Sequence, residues 1–261
     1  MQARMSSSRL PGKIILPLCD KPLLVRMLER VCRATELTQV AVATSLNVED
    51  DKIEQICKEY GYDVFRGHPL DLLDRHYQAA KKYEADIVLK IPSDCPLIDP
   101  TIIDQVVNYY QENAAKFDYV SNLHPPSFPD GNDVEVMSFA ALEKAWQHAT
   151  RPMEREHTTP YIWENPEQFK IGNVKWKTGF DYSMTHRWTI DYQEDYLLIK
   201  EIFETLYPEK PEFTLYDILD LLQEQLHLNS INERYNGVNW YRHHLDELKT
   251  IGKDQTRFVT T

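Results

Sequence analysis

Three cations, three serines and a glycine crowd residues 2–13: Arg4, Arg9 and Lys13 around Ser6-Ser7-Ser8 and Pro11-Gly12. The segment has little helical or strand periodicity, and it leads into an amphipathic stretch that opens after Lys21-Pro22. Backbone N–H groups of a loop that feeds a helix, joined by fixed cations, make a cradle for phosphate. Arginine forks match phosphate oxygens, and lysine adds a compact point charge. The whole chain carries a formal charge of -12, so this loop is a local cationic site on an acidic background. A solvated basic loop is the plainer reading of the same residues. Neither G-x-x-x-x-G-K-[ST] nor G-x-G-x-x-G spacing is present, so the loop is not one of those two phosphate binders.

Two aspartates, far apart in the chain, follow apolar β-like runs. Asp94 comes after Ile87-Val88-Leu89-Lys90-Ile91-Pro92-Ser93, and Asp191 after Arg187-Trp188-Thr189-Ile190. Ligands of open parallel sheets bind outside the carboxyl ends of the strands, which is where both acids are expected. Magnesium takes one or two protein carboxylates and completes its shell with water and phosphate, so the pair is a candidate metal site. Each has a bland alternative: a turn residue for Asp94 and a helix N-cap for Asp191. Asp99, before Pro100, reads as an N-cap, and Glu194 with Asp195 as first-turn acids facing a helix dipole. Two further polar clusters, residues 130–135 and 155–160, match no triad or nucleophile elbow. His243-His244 reads as surface, and the scattered tyrosines and tryptophans read as core.

The elements that must carry these residues alternate in the first half. Periodicity predicts helices over residues 23–34, 49–60, 71–83 and 101–112, and strands over 39–44, 63–65, 86–91 and 118–121. Such βα alternation predicts a parallel sheet with helices on both faces. After Pro125 the texture changes. Strands are expected at 134–137, 169–174 and 186–190, and helices at 139–149, 193–206 and 214–225. One α/β domain is expected, divided as 1–124, an insertion 125–185, a return to the core 186–234, and a polar tail 235–261 that docks or frays. No strand is expected ahead of the loop at Gln2.

Composition narrows the classes. A chain of 261 residues with 42% hydrophobic and 27% charged residues suits a globular protein with a sizeable core. The acidic balance argues against nucleic-acid binding. No apolar run approaches the ~20 residues of a bilayer span, and the start lacks a signal-peptide core. Cys19, Cys32, Cys57 and Cys95 are scattered, which points to reduced thiols in the cytoplasm and away from zinc.

Taken together, these residues resemble the cytidylyltransferases that activate acidic sugars, above all the SpsF-type spore-coat polysaccharide branch. The likeness runs from Gln2 to about Asn232. It rests on residues 2–13, Lys21-Pro22-Leu23, Val42-Ala43-Thr44-Ser45, Arg66-Gly67 and Asp74-Arg75. It continues through Asp94-Cys95-Pro96-Leu97-Ile98-Asp99-Pro100, Tyr119-Val120-Ser121-Asn122, residues 130–135, Arg155-Glu156-His157-Thr158 and residues 187–191. Ser6 stands where relatives often have glycine, and the leading strand is missing.

The resemblance implies a Rossmann-like, GT-A-like nucleotidyltransferase fold, with a mixed, mostly parallel sheet and an inserted acceptor and dimerisation lobe. It implies CTP, Mg2+, an acidic sugar, and a CMP-sugar with pyrophosphate as products, made by a homodimer. Arg4, Arg9 and Lys13 would serve catalysis. Ala3, Arg4, Ser8, Arg9, Gly12, Lys13, Thr44 and Arg75 would hold the nucleotide. Asn122, Asp133, Glu135, Arg155 and His157 would face the acceptor, with Arg155 on the sugar carboxylate and His157 as a possible base. Asp94 and Asp191 would hold the metal. A GT-A-like glycosyltransferase is a second reading, although Ser93-Asp94-Cys95 holds one acid where a D-x-D pair is usual. A nucleotide-binding relative without catalysis is a third.

Overall fold

The computed structural model describes residues 1–259. Among the described residues eight strands are formed: β1 (Pro17–Leu18), β2 (Lys21–Pro22), β3 (Ala41–Ser45), β4 (Asp63–Gly67), β5 (Ile87–Lys90), β6 (Tyr119–Ser121), β7 (Glu135–Ser138) and β8 (Ile171–Asn173). Nine α-helices accompany them among the described residues: α1 (Leu23–Val31), α2 (Asp51–Tyr60), α3 (Leu72–Lys82), α4 (Pro100–Glu112), α5 (Phe139–His148), α6 (Pro152–His157), α7 (Pro160–Trp163), α8 (Gln193–Leu206) and α9 (Leu215–Glu224).

The helices expected from periodicity form within a few residues of their expected ends, because local chemistry marks those ends. Gly61 closes α2 in the left-handed region at φ 76°, where a side chain would be strained. Asp99 accepts from Thr101 N at 2.8 Å and caps α4; its other oxygen accepts from Leu215 N at 2.6 Å, at the start of α9. One buried carboxylate thus satisfies orphan donors of two helices.

The sheet differs from a purely parallel one. β3 and β4 pair in parallel, while β5, β7, β6 and β8 form a second group in that order. β7 runs antiparallel to both β5 and β6, and only β6–β8 is parallel there. Gln2 bridges in parallel to Ala43 on one side and to Pro92 on the other. Ala3 N donates to Ala43 O at 3.1 Å. The place of the leading strand is therefore taken by the first residues themselves, between the two strand groups. The strand expected at 186–190 is instead an irregular segment. It bridges Asp130 through Arg187, and Ile190 N donates to Asp94 O at 2.8 Å.

A main core joins α1, α4, α8 and α9 around β6 and β7, with Met27, Ile103, Val136, Trp188 and Phe203 buried. A second core packs α3, α5 and α7, and the tail docks onto it through Tyr241, Leu248 and Ile251. Glu164, at the end of α7, accepts from Lys249 N at 2.5 Å and Thr250 N at 2.9 Å, which pins that tail. Within 235–259 the chain therefore docks; Thr260 and Thr261 lie outside the described residues. No helix among the described residues is long and apolar enough to cross a membrane.

Candidate active site

The loop owes its shape to buried anchors on either side of its cations. Asp50 accepts from Met5 N at 2.7 Å while its other oxygen is bonded to Ser45, so β3 grips the loop. Gly12 sits at φ 70°, and its N–H reaches Met5 O at 3.0 Å; a Cβ there would oppose the turn. A short 3-10 turn follows at Lys13–Ile15, and Ile14 is buried with Leu24 and Leu28. Packing of Ile14 fixes the direction in which Lys13 leaves the backbone.

Lys13 leads into a cavity of about 510 Å³. Its ammonium donates to Asp94 Oδ2 at 2.8 Å and Asp191 Oδ1 at 3.2 Å, and also to the Ile190 carbonyl. Arg9 donates to the same Asp191 oxygen at 2.6 Å. The two acids, 97 positions apart in sequence (191 minus 94), thus converge on one cation beside the N-terminal loop. Burial opposes charge on Lys13, but Asp94 and Asp191 outweigh it and raise its pKa. Burial likewise opposes charge on Asp191. Lys13, Arg9 and Arg187 overcome it and hold that carboxyl well below the usual range.

Asp191 is free for this role because it is not the helix cap. Asp195 takes that work, accepting from Asp191 N at 2.9 Å and Tyr192 N at 3.0 Å. Asp195 is therefore more than a first-turn acid: fully buried, it also pairs with Arg187 at 3.0 Å. Arg187 spreads its donors over Asp191 at 3.1 Å, Asp130 at 3.3 Å and the Val238 carbonyl at 2.5 Å. It is a buried organiser of the acidic wall that the sequence reading did not place in the site. The signal was available: a lone arginine in an apolar run, with acids four and eight positions later, is a buried charge in need of partners.

The remaining expected residues divide. Ala3, Arg4, Ser8, Arg9, Lys13, Arg75, Asp94, Asn122, Asp133, Glu135, His157 and Asp191 line the cavity, whereas Gly12, Thr44 and Arg155 do not. Gly12 shapes the loop from behind. Thr44 is wholly buried in β3, its hydroxyl without a partner among the described residues. Arg155 is a clear correction. Its guanidinium is spent on Asp71 at 2.8 and 2.5 Å and on the Trp146 carbonyl at 2.7 Å, where it ties α6 to the N-cap of α3. Three of its five N–H donors are engaged there, and it does not line the cavity, so it is not presented to an acceptor carboxylate.

Arg75 lines the cavity but is also committed: it donates to the carbonyls of His68 and Pro69 and so shapes the loop ahead of α3. Asn122 clamps the Asn132–Val134 turn through Asn132 O at 2.6 Å and Val134 N at 3.0 Å. Glu135 is buried, bonded to Lys90 and to the Tyr119 hydroxyl at 2.6 Å. Burial opposes its charge, and Lys90 prevails and lowers its pKa. Among the described residues Asp133 accepts only from Gly131 N, at 3.3 Å, and burial pushes its carboxyl up to about 6. Burial drives His157 down to about 3, so its imidazole is neutral and too weakly basic for a general base near pH 7. His157 stacks on Trp240 with centroids 3.9 Å apart, and His244 meets its edge at 5.4 Å. Trp240 and His244 line the cavity too, against the expectation of core and surface.

Comparison with known proteins identifies the family. The family model described as cytidylyltransferase matches residues 1–235. The chain belongs to the cytidylyltransferase family. It is similar to an uncharacterised protein of Methanocaldococcus jannaschii, with 37% identity over 89% of this chain and 92% of that one. It is also similar to the spore coat polysaccharide biosynthesis protein SpsF of Bacillus subtilis, with 28% identity over 85% and 92%. Among solved structures it resembles a cytidylyltransferase from Leptospira borgpetersenii, with TM-score 0.82, 36% identity, and coverage of 87% and 93%. The mixed sheet flanked by helices is thus a nucleotidyltransferase fold, and family membership makes the chain a nucleotidyltransferase.

Proposed function

We propose that the protein transfers CMP from CTP to a hydroxyl of an acidic sugar, releasing pyrophosphate and forming a CMP-sugar for polysaccharide synthesis. The convergence of Asp94 and Asp191 on Lys13, beside Arg9 and in a cavity, carries this reading. Family membership and the resemblance to SpsF support the nucleotide and the sugar.

The donor set suits magnesium: two hard carboxylate oxygens already share one positive centre, and water and phosphate complete such a shell. Asp94 and Asp191 would hold the ion, which when bound would neutralise charge on the α-phosphate. The chain's own residues do the rest. Arg9 and Lys13 bind the triphosphate and offset the charge that grows on the departing pyrophosphate. Arg4, whose guanidinium has no partner among the described residues, is left for the anionic ligands. The acceptor oxygen forms its bond to the α-phosphorus as the bond to the β-phosphate oxygen breaks. Asp133, with one backbone partner among the described residues, would receive the hydroxyl proton. Arg75 and Asn122 act indirectly, by holding the loops that line the cavity.

The deciding experiment measures pyrophosphate release with each nucleoside triphosphate and a panel of acidic sugars, with and without magnesium. Release with CTP plus one such sugar supports the reading. Release of a nucleoside diphosphate instead would favour glycosyl transfer, and nucleotide binding without turnover would favour a non-catalytic relative. We place the enzyme in the cytoplasm as a homodimer; light scattering at micromolar concentration tests the second statement.

A further inference from the structure

The family match ends at residue 235, yet the cavity does not. Gly237, Asn239, Trp240, Tyr241 and His244 belong to the segment beyond that point, and all line the cavity. The segment is firmly seated: Tyr241, Leu248 and Ile251 are buried in the second core, and Glu164 binds the backbone at Lys249 and Thr250. Arg257 N returns to Gly237 O at 2.7 Å and closes the segment on itself.

What the segment brings to the cavity is an aromatic backing for His157. Trp240 lies parallel to the imidazole, 3.9 Å away at 15°. Trp240 also meets Trp163 at 6.4 Å. Neither ring nitrogen of His157 has a hydrogen-bond partner among the described residues, and neither is among the sealed, unpartnered atoms. A neutral imidazole offers one donor and one acceptor, the pair that a sugar hydroxyl matches. The surrounding wall carries Glu135, Asp133 and Glu156; of its cations, Lys90 is paired with Glu135, while Arg4 acts electrostatically on His157.

We propose that residues 236–259 form the acceptor-specificity wall of this enzyme, in which Trp240 positions His157 to recognise a hydroxyl of the acceptor. This rests on the transferase reading above. Trp240 is a positioning residue, because it acts through the imidazole.

The test uses the full chain, the acceptor that the wild type turns over, and CTP. Trp240→Ala should raise the acceptor KM about tenfold, the size of one lost aromatic contact, with kcat within about twofold. The dissociation constant for CTP, read by calorimetry, should not move. Trp240→Phe should restore most of the acceptor KM. His157→Gln, which avoids removal of a large side chain, should reproduce the same split and keeps the test valid if the alanine variant fails to fold. An unmoved acceptor KM in both the His157 and Trp240 variants, or a parallel loss of CTP affinity, overturns the proposal. Absence of turnover by the wild type with every acceptor would instead refute the transferase reading beneath it.

Discussion

Replacing Lys13 with alanine separates a catalytic cation from a structural one. The ammonium sits 2.8 Å from Asp94 and 3.2 Å from Asp191, with its side chain 11% exposed. At an effective dielectric of about 20, a pair at that distance attracts by about 6 kcal/mol before solvation is counted. Most of this returns when the ammonium goes, because Asp94 is 29% exposed and takes up water, while Asp191 keeps Arg9 and Arg187. The net loss of stability should be about 2 kcal/mol, that of one charged hydrogen bond, or a fall in Tm of about 4–8 °C. Loss of the same cation from a charge-separating transition state costs about 3–4 kcal/mol, a rate factor of 10²–10³. Pyrophosphate release at 25 °C, where the variant stays folded, should therefore drop by that factor. Lys13→Arg should rescue little, since a planar fork cannot take the place of a compact ammonium between two carboxylates. The pH behaviour follows from the raised pKa of Lys13. Its contribution is complete below the ordinary lysine value and is lost only as pH rises through the folded one. The difference in Tm between wild type and variant should then be flat from about pH 6 to 9. A variant that keeps more than about a fifth of wild-type turnover would refute the role assigned to Lys13, as that loss is far below the expected 10².

Three further outcomes are expected. Asp94→Asn and Asp191→Asn should each raise the magnesium concentration needed for half-maximal rate by about tenfold or more, equivalent to ~1.4 kcal/mol; unchanged metal titrations in both would remove the two-carboxylate site. Arg155→Ala should lower stability by about 1–3 kcal/mol through the lost bonds to Asp71 and Trp146, with the acceptor KM unaltered, as thermal melts and steady-state kinetics will show. Burial depresses His76 to about 3, so unfolding takes up its proton as pH falls from about 6.5. Stability from this group is present above that value and is lost toward acid, by about 1.4 kcal/mol per pH unit. Urea unfolding of wild type and His76→Gln at pH 7.5 and 5.5 should show a shallower acid slope in the variant, even though Asp133 contributes with the opposite sign.

Most features that depend on neighbours in the chain were legible in the sequence, although the local pairing of Arg187 with Asp191 and Asp195 was not. The Asp99 cap, the Gly61 stop and the amphipathic helices rest on i to i+4 geometry, and they formed within a few residues of the expected ends. The loop cations, Asp94 and Asp191 were likewise readable as residue types that could serve a phosphate or a metal, although the strand expected to lead into Asp191 is an irregular segment. Roles that turn on competition for a side chain were not readable. Arg155 looked available for a ligand because nothing near it in sequence reveals Asp71, 84 positions away. Trp240 looked like core because its contact with His157 spans 83 positions (240 minus 157) and depends on how the tail docks. The orientation of β7 was hidden for a similar reason: an apolar strand reads the same in either direction.

Residue chemistry alone therefore marked which groups suit a phosphate and a divalent cation. Tertiary packing decided which of them remain available: it draws Asp94, Asp191 and Lys13 to one point, consumes Arg155 elsewhere and adds the tail to the wall. The physical reason is that a charged side chain under burial must find a partner, and that partner is chosen by the whole fold rather than by its neighbours in sequence.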